Sequence, residues 1–237
     1  MTDALRLLGF GAGGWASALL SASVITLLLS VAGFALGAVF GGIAAAARVG
    51  GSRVGAIVAE AYGTVFRGVP DLLTIYLLYF GGSMALTTAA HLFGAEGFVG
   101  LPAFATGTLA IGIISGAYQA EVFRGAYLAI DRGQAEAAYA HGLSKRLTLR
   151  LVILPQLLRH AIPGLGNVWQ LVLKDSALIS VIGLVELMRQ AQIGAGSTRQ
   201  PFVFYVAAAA LYFSIAAATG VLFRRAESAA MRGFERS

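Results

Sequence analysis

The chain has 237 residues, no cysteine, 17 lysines and arginines against 11 aspartates and glutamates, and a formal net charge of +6. With 58% hydrophobic residues, 12% charged residues and a mean hydropathy of +0.79, it is more apolar than one soluble core requires. The lack of cysteine excludes a disulfide framework and a thiolate metal site, and in so apolar a chain the basic excess points to loops facing anionic lipid and protein partners, not to nucleic acid.

The predicted elements follow in chain order. Trp15 to Ala47 is uncharged and too long for the apolar stretch of a signal peptide, so a retained spanning helix is expected over about 18–46. Residues 54–86 as one straight helix would reach about 50 Å, more than a hydrocarbon core of about 30 Å. Gly68-Val69-Pro70 supplies the break, because proline lacks a donor and disfavours helix before it. An interfacial helix over 54–66 and a second spanning helix over 70–88 are therefore expected. A third span is expected over 103–127.

The next segment, 131–155, is punctuated like two short helices. Asp131 and Gln134 have the spacing of a capping box. An alanine-rich helix follows, with Ala135 and Ala138 on a small-residue face. Gly142 stands where a left-handed residue closes a helix. Ser144 is placed to cap a second helix, which Pro155 is expected to end. Pro163-Gly164 predicts another break and a fourth span over 164–184, and a fifth is expected over 202–223, followed by a tail over 224–237.

Basic residues orient this five-helix scheme. Arg6, Arg189 and Arg199 make three on one side, against thirteen on the other; the remaining one of the seventeen, Lys174, falls inside the fourth predicted span. The bias predicts the N-terminus outside, the C-terminus inside, and the segment 131–155 in the cytoplasm.

Few residues suggest chemistry. No GxxxxGK[ST] motif is present to cradle phosphate, the three histidines (His91, His141, His160) are scattered, and no nucleophile, base and acid are grouped. Lys174 and Asp175 are the exception. Lys174 lies about 15 Å into the fourth predicted helix, and charge at that depth defaults to a functional reading, here a place on a translocation path. A structural pair with a neighbouring helix or subunit is the alternative. Glu121 is a third candidate for the path, although with Arg124 it also has the spacing of a local i, i+3 ion pair. Glu186 and Arg189 are expected in an outward-facing element that meets a delivery protein or closes a gate.

Glu136, Ala137, Ala138, Gly142, Val152, Leu154 and Pro155 together resemble the EAA signature of permease subunits in bacterial ABC importers; the family prefers isoleucine where this chain has Val152. The stretches "FRGVPDLL", "GAYQAEVFRGAY", "IPGLGNVWQLVLKDSALIS" and "STRQPF" resemble the polar amino-acid branch of that family, nearest to the Q-type permease for histidine, lysine, arginine and ornithine, with opine permeases sharing most of them. The resemblance covers about residues 18–225. It implies an all-α, type I importer permease fold in the bacterial inner membrane, with a periplasmic N-terminus. It implies a second permease subunit, either an M-type partner or a second copy, two ATPase subunits and a periplasmic binding protein. ATP and magnesium would be used by the ATPase, with no cofactor on this chain, and the EAA segment would form the coupling helix that docks on the ATPase. An ion-coupled secondary transporter is the rival; it would usually show internal repeats, and none stands out here.

Overall fold

The computed structural model describes residues 6–11, 13–94 and 96–231. Arg232 and Arg236, two of the thirteen basic residues on the inner side, and both chain termini lie outside the described residues. Helix α1 spans Ala16–Val49 and stops at Gly50. Ser52 caps α2, Arg53–Gly68, by accepting from the Gly55 N–H at 3.2 Å. After Pro70 comes α3, Asp71–Leu92, with a π-helical turn over Leu77–Gly81. Helix α4, Ala103–Leu128, starts behind Pro102. Two short helices follow, α5 (Arg132–Ala140) and α6 (Lys145–Thr148). Next come α7 (Leu154–Asp175), α8 (Leu187–Thr198) and α9 (Pro201–Met231). No strand occurs among the described residues.

The most extensive helix pair is α1 with α4. Its seam is built from glycine. Gly33, Gly37 and Gly41 recur every fourth residue and so share one face of α1, opposite Gly112 and Gly116 of α4. A Cβ on Gly41 would lie 2.8 Å from the Gln119 Cβ and 2.9 Å from the Ala120 nitrogen, so only glycine permits this approach. Across the seam the buried Gln119 donates to the Phe34 carbonyl at 3.0 Å.

Around the seam, Leu29, Ile75, Ile111, Ile114, Val172 and Ile179 bring α1, α3, α4 and α7 into one core. At the other end of α1, Leu19 packs with Leu187 of α8 and Phe204 of α9, and Trp15 meets Phe204 edge-on at 5.4 Å. Helices α1, α3 and α9 are long and apolar enough to cross a membrane.

Three expected boundaries are corrected. Pro155 does not end a helix. The path from Lys145 to Asp175 is continuous through a π-helical segment, Leu149–Ile153. There the Leu154 N–H reaches back to the Leu149 carbonyl; this wider turn makes room for the proline ring that follows. Nor does Pro163 start the next span. It sits inside α7, where it forgoes one backbone bond while Ala161, Val168, Trp169 and Val172 hold the helix by their burial. The α-helix ends at Asp175 and tightens into a 3-10 segment, Ser176–Ile182, closed by left-handed Gly183 at φ 91°. The expected tail is also shorter. Its first residues, 224–231, continue α9, since "RRAESAAM" contains neither glycine nor proline.

Candidate functional site

The turn between α5 and α6 is fixed by backbone geometry. Asp131 Oδ1 accepts from the Gly133 N–H at 2.6 Å, an N-cap bond to the second helical residue and not to Gln134, the third, as the expected capping box would have it. Gln134 makes no bond back to the Asp131 N–H either. Gln134 instead accepts from Gln156 Nε2 at 3.4 Å, linking α5 to the start of α7. At the far end the Leu143 N–H donates to the Ala138 carbonyl at 3.1 Å and the Gly142 N–H to the Tyr139 carbonyl at 2.9 Å, a Schellman closure with Gly142 at φ 79°. Ser144 then caps α6 through the Leu147 N–H.

Of the EAA residues, Glu136, Ala137, Gly142, Leu154 and Pro155 are exposed, Val152 is half-buried and Ala138 is buried within the chain. Ala138 therefore cannot offer a face to a partner. Its small side chain instead lets α5 lie against the π-helical segment. The outward face carries Glu136, Ala137 and Tyr139.

Glu121 has no vacant oxygen. Its Oε1 is held by Arg48 of α1 and by Arg67 of α2 at 3.0 Å, and its Oε2 by Arg124 at 3.0 Å. The local pair with Arg124 exists, but two further arginines from other helices join it. Sequence spacing could not indicate them, because they come from the far ends of two separate helices.

Lys174 and Asp175 diverge. Successive helical residues point about 100° apart. Lys174 lines a groove of about 500 Å³ between α7 and α9, with Gln170, Tyr205 and Tyr212 among its neighbours. Asp175 lies within electrostatic reach of both Lys174 and Asp71, the first residue of α3, and Tyr118 of α4 lies within reach of Asp71, Asp175 and Arg67. Neither Asp71 nor Tyr118 had been singled out, although both lie in the "FRGVPDLL" and "GAYQAEVFRGAY" stretches.

Glu186 faces inward and is fully buried, whereas Arg189 is exposed. The Glu186 carboxylate caps α8, accepting from the Met188 N–H at 2.9 Å and the Arg189 N–H at 2.8 Å. The Tyr212 hydroxyl of α9 donates to it at 2.8 Å. Thr26 of α1 lies 3.3 Å away and accepts from the Leu187 N–H at 3.0 Å. Burial pushes the Glu186 carboxyl up, while the N–H and O–H donors pull it down. This carboxylate therefore joins three helices and cannot touch a delivery protein. Nothing in the sequence pairs Thr26 with Tyr212.

With this geometry in view, similarity to known proteins is informative. Residues 37–232 match the family described as binding-protein-dependent transport system inner membrane component. Over 99% of both chains, the protein is 54% identical to the octopine transport system permease protein OccQ of Rhizobium radiobacter. It is 34% identical to the histidine/lysine/arginine/ornithine transport system permease protein HisQ of Escherichia coli (strain K12), over 84% of this chain and 87% of that one. Its fold is similar to that in a crystal structure of an amino acid ABC transporter with histidines, with a TM-score of 0.75, 33% identity, and coverage of 90% of this chain and 94% of that one. The chain belongs to the family of binding-protein-dependent inner membrane transport components, and it is a permease subunit of an ABC importer.

Proposed function

We propose that this permease crosses the bacterial inner membrane five times, by α1, α3, α4, α7 and α9, with its N-terminus in the periplasm and its C-terminus in the cytoplasm. Helix α4 is largely buried against the other helices, whereas α7 is amphipathic, with Ala161, Val168, Trp169 and Val172 turned to the bundle and Leu158, Pro163 and Asn167 exposed. The amphipathic α2 lies at the interface. The gathering of Arg48, Arg67 and Arg124 around Glu121, near the α5–α6 turn, supports a cytoplasmic location for that end. The permease pairs with a second permease subunit, and two separate ATPase subunits hydrolyse ATP with magnesium. A periplasmic binding protein delivers the substrate. The segment 131–155 couples ATPase closure to the helices through Glu136, Ala137, Gly142, Val152, Leu154 and Pro155, with Ala138 as the internal spacer.

The substrate is a cationic or polar amino acid, or an opine. The feature that supports this reading is that Asp71, Asp175 and Tyr118, from three helices, lie within electrostatic reach of one another, with Lys174 and Arg67 beside them. Similarity to the octopine and histidine-type permeases supports the same class. In this reading Asp175 lines the path, Lys174 stands in the neighbouring groove, and Glu121 ties helix ends together. Proteoliposome uptake tests it. Transport of arginine, histidine or octopine should require ATP and the binding protein. Uptake driven by an ion gradient without ATP would overturn it.

A further inference from the structure

Two adjoining cavities form one amphipathic site outside the proposed path. The first, about 620 Å³, lies between the ends of α1 and α4 and the helix α5; Arg48, Arg124 and Arg132 line it. The second, about 540 Å³, is an apolar groove walled by Gly42 and Ala46 of α1, Phe123 of α4, and Leu154 and Leu158 of α7. Val49 and Tyr127 line both, so the basic pocket and the groove lie side by side.

The charges define the occupant. Asp131 and Glu136 also line the pocket, and Glu121 stands behind it, bonded to Arg48, Arg67 and Arg124. Three guanidinium groups and two carboxylates thus line the pocket, one positive charge in excess, and Arg67 and Glu121, which do not line it, offset each other. The donors are not exhausted. Each guanidinium carries five N–H groups, and Arg124 spends only its Nε and one terminal nitrogen on Glu121. Arg132 makes no ion pair among the described residues. A single phosphodiester would neutralise the excess and accept from these donors. A soluble phosphate would use the pocket and leave the apolar groove bare, whereas a diacyl lipid fills both.

We propose that the pocket binds the headgroup of an anionic phospholipid, with one acyl chain in the groove between α1, α4 and α7. The lipid sits against α5 and α7, so it braces the segment that joins the coupling turn to the bundle. The site depends on the topology proposed above only for the choice of leaflet, and a wrong topology would appear in reporter fusions, not in lipid retention.

The test uses the assembled importer in mixed micelles of dioleoylphosphatidylglycerol and dioleoylphosphatidylcholine in equal amounts, followed by gel filtration and mass analysis of retained lipid. The wild-type complex should retain the phosphatidylglycerol preferentially. Arg124→Gln should reduce that preference by about tenfold, the loss expected for a charged hydrogen bond. Gly42→Leu, whose new Cβ meets no atom within 4 Å, should fill the groove and reduce retention of both lipids. Arg132→Gln, an exposed change, replaces Arg124→Gln if that variant does not assemble. Equal retention of the two lipids by the wild type overturns the proposal, as does a preference that survives both substitutions. Displacement by glycerol 3-phosphate alone would also overturn it, by showing a soluble-phosphate site.

Discussion

The Tyr212 hydroxyl donates to Glu186 Oε2 at 2.8 Å, joining α9 to the first turn of α8 at a carboxylate without solvent exposure. Glu186→Ala removes the acceptor and leaves two backbone N–H groups and this hydroxyl unpaired. The variant should lose about 3 kcal/mol or more of stability, since each buried unsatisfied group costs about 1–3 kcal/mol. Glu186→Gln keeps an acceptor and should lose less, and Tyr212→Phe about 1 kcal/mol. Thermal unfolding of the assembled complex in detergent measures all three. An unchanged midpoint in Glu186→Ala would contradict the bonding described.

A second expectation concerns the turn between α5 and α6, proposed to couple to the ATPase. Gly142 at φ 79° would be strained by a side chain, at a cost of about 1–2 kcal/mol and more for a β-branched one. Gly142→Val and Glu136→Lys should leave the protein in the membrane and assembled with the other permease subunit, yet abolish the ATPase response to loaded binding protein. Uptake, ATPase stimulation and co-purification of the ATPase are the readouts. Normal stimulated uptake in both variants would mean that the turn does not couple.

The two charges at the end of α7 should separate in function. Asp175→Asn should lower uptake by about tenfold or more, as for a lost charged hydrogen bond, with assembly intact. Lys174→Met, in the other groove, should leave uptake within about twofold of wild type. The reverse pattern would place the path between α7 and α9.

Topology can be checked directly. Reporter fusions at His91 and at Gly142 should report opposite sides of the membrane, with His91 periplasmic. The same side for both would remove the five-crossing arrangement.

The glycine seam offers a packing test. Gly41→Leu would drive carbon into Gln119 and the Ala120 backbone, neither of which can swing away. Overpacking of this kind costs about 1–3 kcal/mol or more, and the variant should fail to assemble. Gly42→Leu, one residue on and facing the groove, should assemble normally. Size-exclusion profiles separate the two outcomes.

The sequence by itself was sufficient for the class of protein, its all-helical character and the punctuation of the turn between α5 and α6. Those features are local: run length, the left-handed need at Gly142, and the caps at Asp131 and Ser144 depend on neighbours within a few residues. It misjudged Pro155 and Pro163, because proline disfavours helix locally while the π-helical turn and the burial of Trp169 and Val172 decide otherwise. Only the tertiary structure could add Arg48 and Arg67 to Glu121, seal Glu186 between Thr26 and Tyr212, or set Lys174 in the groove between α7 and α9. Each depends on how helices distant in sequence approach one another. The glycine seam of α1 and α4 sets that approach through contact distances that spacing along the chain does not contain.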